Sequence, residues 1–432
     1  MKYSFLVALF GILSLPVYAI NCGGVPGSTH ANGGGFVADT ATVDATVYLG
    51  VDAEVCDEAQ VLDNVVVTTN NAQRIVISGL ARVYNSATLT SVDAPMTITG
   101  NAKIYDQASI TSQLVANSTL TELLIQGEPL IFETSSIVGL VQFSAQSEAQ
   151  VYGSASVRDE VIINGDCQVF GSAVVREKVT LNDSVVIYGS AEVYGQTTLN
   201  NFSQVYALAK VFDFAILNDF AQVGDTATVK DNVIAYGEVL ISGNATVSDF
   251  ARVGDNALIY DNAIVSDKSR VFGDARVYGN AQILSRAEVF DNAEVFDSAL
   301  ISARAKVRGN AKVHDNAQVS GDSILYDNAD VFEFAKILGH AQVYGRGVVR
   351  GTAEVSGKAQ IYDDSSVADS AKIYGNAEIY GNGRVYGTAS VFELGQIFEN
   401  AEVGGDTLIH GTALIHGTAN LITGDYNRGN EI

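Results

Sequence analysis

Five histidines and three cysteines are the residues of this 432-residue chain whose chemistry would say most about function. His314, His410 and His416 share one kind of position. Each directly follows an aliphatic residue (Val313, Ile409, Ile415), where Tyr, Phe or Ser stands elsewhere. A histidine acts as base or metal ligand only when partners converge on it. His410 and His416 are one six-residue step apart, which puts them on adjacent faces around a corner, a poor arrangement for sharing an ion. His340 falls in a turn and His30 near the start of the chain. The set reads as exposed polar positions, and neither a catalytic residue nor a metal site is expected. Cys22 and Cys56 lie in the N-terminal part, where an oxidising compartment would let them pair for ~2–4 kcal/mol; two separate thiols remain the alternative. Cys167 stands in the small position of the repeat, held mostly by Ala, so it reads as a small core residue rather than a nucleophile.

Aromatic residues offer a second kind of chemistry. Tyr152, Phe170, Tyr188 and Tyr206 recur every eighteen residues, as do Asn164, Asn182, Asn200 and Asn218. Further on, Phe272, Phe290, Tyr326, Tyr344, Tyr362, Tyr380 and Phe398 keep the same spacing, with Arg308 as an interruption. Tyr326, Tyr344, Tyr362, Tyr380 and Phe398 are therefore the candidate ligand-binding residues, a strip suited to sugar rings or another apolar partner. The competing expectation, and the favoured one, is that the rings stack on each other and stiffen the sheet at ~0.2–1 kcal/mol per pair. The asparagines read as a ladder of mutual side-chain hydrogen bonds.

These residues are positioned by a six-residue phrase, small–x–aliphatic–x–turn–x, which runs without insertion from Ala149 to Ala419. GNAQIL SRAEVF DNAEVF DSALIS ARAKVR GNAKVH is one stretch of it. Two inward residues separated by an outward one make a short strand. The turn position is dominated by Gly, Asp and Glu, often followed by Asn, Asp or Thr, and a tight corner needs residues that tolerate left-handed backbone angles. Three such units close a triangular coil of eighteen residues, so the regular part makes a rod of roughly 70 Å at ~4.8 Å per coil. One edge alternates Gly237, Asp255, Gly273, Asp291, Gly309, Asp327 and onward to Gly417. That alternation reads as spacing of like charges, which would otherwise stack one strand apart.

Val253-Gly254-Asp255-Asn256-Ala257-Leu258 resembles the aliphatic–(Gly/Ala/Glu/Asp)–x–x–small–x pattern of the hexapeptide-repeat family. The resemblance implies an all-β fold, a single-stranded left-handed parallel β-helix solenoid of 18-residue triangular coils. It also implies kinship with acyltransferases that use acetyl-CoA, a catalytic histidine near a subunit boundary, a loop projecting from the coils and a trimeric assembly. The γ-type carbonic anhydrases of this fold add three zinc-binding histidines. This sequence departs from those patterns: aromatic or Ser residues follow the aliphatic position, no insertion breaks the regular run, and no set of three histidines stands out.

The chain opens MKYSFLVALFGILSLPVYA, the pattern of a cleaved leader over residues 1–19. A cap segment is expected over 20–36, irregular coils with small corner loops over 37–148, the regular solenoid over 149–422 and a polar tail over 423–432. No later segment is apolar for the ~20 residues that a membrane span needs. A net charge of −24 argues against nucleic acid or anionic lipid as a partner. The expected protein is an exported rod, secreted, periplasmic or on the cell surface. Its role would be structural or adhesive, with a glycan or surface component as partner, no cofactor, and a monomeric or homotrimeric state. The alternatives are a hexapeptide-repeat transferase using the region before residue 149, and a carbohydrate-binding or carbohydrate-processing protein using an aromatic face.

Overall fold

The computed structural model describes residues 21–71 and 73–428, so the expected leader lies outside the described residues. The chain winds into about 22 turns of a parallel β-solenoid with three sheets. Gln150–Val151, Ser156–Asp159 and Ile162–Asn164 are consecutive strands on faces one, two and three. Each pairs in parallel with the strand eighteen residues on: Gln150 opposes Gln168, Ser156 opposes Val174, and Ile162 opposes Thr180. The expected all-β triangular coil is the observed one. Among the described residues no helix is long and apolar enough to cross a membrane.

The hexad builds this coil by simple means. Its two inward residues, such as Ala257 and Ile259, are fully buried and stack on their equivalents in neighbouring coils. A small residue, most often Ala, follows each corner, where two sheets converge and leave little room. Where Ser or Thr takes that position, its hydroxyl donates across the corner, as from Ser269 to the Ser266 carbonyl (2.7 Å) and from Ser365 to the Tyr362 carbonyl (2.7 Å). Every sixth residue from Gly153 to Gly417 has positive φ. Asp, Asn and Gly carry that conformation at least cost, hence their dominance there.

The corner acids do more than turn the chain. A corner N–H has no place in the strand ladders, and the acid one coil earlier accepts it: Asp255 from Gly273 (3.0 Å), Asp291 from Gly309 (3.1 Å), Asp363 from Gly381 (3.1 Å). On another edge, acids stack directly and do the same, Asp249 accepting from Asp267 (3.3 Å) and Asp267 from Ser285 (2.8 Å). Backbone satisfaction, rather than avoidance of neighbouring charge, therefore accounts for the acid-rich corners.

Between Ala53 and Ala149 the coils are longer. Corner and surface bonds span 22, 21, 27 and 20 residues in turn before settling at 18. Sequence alone suggests small loops at the corners. The structure instead absorbs much of the surplus by lengthening face two to four-residue strands, Val66–Thr69, Thr88–Ser91, Ser109–Ser112 and Ser136–Gly139. Phe143 and Met96, both fully buried, fill the wider interior. Residues 113–122 form the one long excursion in the 27-residue coil.

At the N-terminal end Gly27–Thr29 pairs antiparallel with Phe36–Ala38, and a disulfide joins Cys22 to Cys56 across 5.5 Å between Cα atoms. Antiparallel pairing turns the exposed strand edge aside. At the other end Asp425–Tyr426 pairs in parallel with Leu408–Ile409. The tail thus begins by adding a strand to face two rather than folding across the end.

Candidate functional site

The five candidate ring residues form one continuous stack on face three. Tyr326, Tyr344, Tyr362, Tyr380 and Phe398 have centroids 4.7–5.0 Å apart and planes within 4°. Coplanar rings could not approach so closely, so each ring turns its faces to its neighbours. The strip shows solvent its ring edges and hydroxyls. Tyr344 donates to Gln360 (3.1 Å), Tyr362 to Glu378 (3.3 Å) and Tyr380 to Gln396 (3.4 Å), each one coil along. Burial pushes the Tyr344 phenol up to about 12, with Tyr326 and Glu378 adding to the shift. Tyr362 is raised by burial first and then by Glu378.

Both ends of this stack are closed. The Arg308 guanidinium lies 5.0 Å from the Tyr326 ring centroid, and the His416 ring covers Phe398 at 5.1 Å. Arg308 is thus a cap where sequence reading had an interruption. Two other ladders are covered at one end. Arg176 covers Tyr194 at 3.9 Å, and His410 covers Phe392 at 4.8 Å. Three tyrosines instead lie over a glycine one coil on. A Cβ at Gly224, Gly254 or Gly404 would come within 2.1–2.3 Å of the Tyr206, Tyr236 or Tyr386 ring. The signal was present in the sequence as Tyr and Gly eighteen residues apart.

The histidines are therefore rungs. His314 stacks between Phe296 (4.7 Å) and Phe332 (4.9 Å), with Nε2 3.1 Å from Asp330 and Nδ1 3.5 Å from Asp315. Asp297, His314 and Asp315 bring possible ligand atoms within 4.8 Å of one another, but an Asp297 oxygen already accepts the Asp315 N–H. His410 Nε2 meets Asp425 at 2.7 Å. His340 lies 3.6 Å from Asp322, and His30 bonds locally with Asn32. His314, His410 and His416 stand on faces one, two and three, and the structure does not bring them together. Cys167 is buried, donates to the Asp183 carbonyl (3.4 Å) and has its thiol pushed up to about 12 by burial. Asn164, Asn182, Asn200 and Asn218 form the expected amide ladder at 2.7–3.0 Å.

Two grooves lie along the edge between faces two and three. One, of about 550 Å³, runs under residues 115–116 beside Lys178, Gln196 and Phe214. Lys178 holds the excursion in place, donating to the Asn117 carbonyl (3.3 Å) and lying 3.7 Å from the buried Glu160 carboxylate. The other, of about 680 Å³, follows Phe250, Lys268, Arg286 and Arg304. Compared with protein-family models, curated proteins and solved structures, the chain matches none of them.

Proposed function

We propose that this protein is an exported rod that serves a structural or adhesive role, presenting repeated surface features to a glycan or cell-surface component rather than catalysing a reaction. One observation carries the reading: from Gln150 to Leu421 each coil repeats the last, and the eighteen-residue strand register never shifts. Such a path gives length and repetition and builds no enclosed cleft, whereas enzymes and small-molecule sites favour concave ones. Membership of the hexapeptide-repeat family, and the left-handed winding that goes with it, belong to this proposal. The stacked histidines give the transferase alternative no support, because each is a rung of a separate stack on a different face of the coil.

The test pairs solution scattering with a glycan and host-surface binding screen on the chain from Ile20. An elongated particle that binds a surface or glycan and leaves acetyl-CoA untouched is expected. Acyl transfer that disappears on His314→Ala or His30→Ala would overturn the proposal.

A further inference from the structure

The edge between faces two and three carries one outward residue per coil in the row Phe214, Asn232, Phe250, Lys268, Arg286 and Arg304. We infer that this row is a binding track for a linear acidic polysaccharide, with carboxylate or sulfate groups on the three cations and a sugar ring against Phe250. The inference rests on the reading of the rod as a binding scaffold and supplies its partner.

Three observations support it. First, Lys268, Arg286 and Arg304 are exposed and stack one coil apart in a chain of net charge −24. Like charges at that spacing repel, and a solvated fold gains nothing from the arrangement. Arg304 lies 3.8 Å from Asp322, whereas Lys268 and Arg286 have no ion-pair partner among the described residues. Second, the corner acids give way beside the cations. Asp249 and Asp267 are followed at the same corner by Ser285, Ala303 and Gly321. The two remaining acids each have an oxygen committed to a backbone N–H, of Asp267 and Ser285. Third, Phe214 and Phe250 are 50 % and 57 % exposed and belong to none of the ring stacks among the described residues. No other ring covers them, unlike the rings of Tyr326–Phe398, and the Lys268 ammonium lies 5.8 Å from the Phe250 centroid.

The geometry favours a particular polyanion. The row is straight and offers one cation per coil, ~4.8 Å apart, close to the rise of one sugar along an extended polysaccharide that bears a charge on each unit. Duplex nucleic acid carries a charge per ~1.7 Å, which three cations cannot match. The acids elsewhere on the rod do not forbid the contact, because at 0.1 M salt screening acts over ~10 Å and a polymer on this edge senses mainly the row beneath it.

Binding of polygalacturonate and of a sulfated glycosaminoglycan would be compared with neutral dextran at 0.1 M salt. The proteins would be the wild type, a Lys268→Gln/Arg286→Gln/Arg304→Gln variant, and a charge-matched Lys210→Gln/Arg276→Gln/Lys312→Gln control. Expected is salt-sensitive binding of the acidic polymers by wild type and control, weakened about tenfold or more in the first variant. Equal binding by all three proteins, or binding of a DNA oligonucleotide as tight as of polygalacturonate, would overturn the inference. So would no binding of acidic polymers; if the surface screen still finds a partner, the scaffold reading stands without this track, and if it finds none, both fall.

Discussion

The coils before residue 149 and those after it use the same strand-and-corner unit and differ in what they do with spare chain. The later coils have none: eighteen residues close the triangle, and Ala with Val, Ile or Leu fills it. After a first coil of eighteen, the earlier coils carry between two and nine residues more, widen face two, admit Phe143 and Met96, and throw out residues 113–122. Regularity thus gives length and repetition, while irregularity gives an overhang beside a groove and the anchoring of the N-terminal end. Under the proposed function the later coils serve presentation and the earlier ones end protection, a division that substitutions can break.

The largest effect is expected in the core of the regular run. Val253 is fully buried among aliphatic neighbours. Val253→Asp places a carboxylate there without a partner and should cost several kcal/mol, about 3–5. Because each coil contacts only its neighbours, the damage should be local. Proteolysis should cut near residue 253 while the N-terminal coils stay protected. Wild-type melting of this variant would disprove the register of the whole regular run.

Next in size is the Cys22–Cys56 bridge, which closes a separation of 34 residues. Replacing both by Ser should cost ~2–4 kcal/mol. The nearest-neighbour logic confines the loss to the first coils. Hydrogen exchange should rise around Phe36–Ala38 and Ala53–Val55, with residues beyond 149 unchanged. A uniform rise along the rod would mean that the two regions fold as one cooperative unit, and the comparison would lose its basis.

Smaller again is the face-three stack. Replacing Tyr344, Tyr362 and Tyr380 by Ser removes three middle rungs and should lower stability by roughly 1–3 kcal/mol in total. Binding in a glycan screen should survive, because the ring faces are covered in the native stack. Alkaline pH probes the same rungs. The folded Tyr344 phenol is raised from 10 to about 12. Its contribution is therefore complete below pH 10 and is lost as pH climbs from 10 towards 12. Normal melting with lost attachment would instead make the strip a binding surface.

The later coils were also the more legible in sequence. Strand, corner and the eighteen-residue period follow from Ala149 onward because each position has one environment, repeated. The widened face two was not legible, since Thr68–Arg74 reads as a slip of register when its first residues are in fact paired, Thr68 with Thr90 and Thr69 with Ser91. Ring stacking could be anticipated from spacing, but the caps could not. Arg308, His410 and His416 look like polar interruptions until the rings are seen to need covering. The row from Phe250 to Arg304 is not legible in the repeat, because it lies in the second corner position, where Phe, Asn, Lys and Arg replace one another.

The smallest expected effect compares one device across both regions. Asp255 accepts the Gly273 N–H at 3.0 Å over 18 residues, and Asp57 accepts the Gly79 N–H at 2.9 Å over 22. Both acids sit at positive φ, 58° and 55°. Substitution by Ala keeps the left-handed backbone and removes the acceptor, at ~0.5–1.5 kcal/mol, with the low end favoured because water reaches the exposed N–H. Substitution by Gly removes the acceptor but eases the backbone, so it should cost less than Ala at either site. Equal losses at Asp57 and Asp255 in melting experiments are expected if the clamp serves only to satisfy a corner N–H. A larger loss at Asp57→Ala would show that the clamp also holds the longer coils in register, a task that the uniform coils leave to their strands.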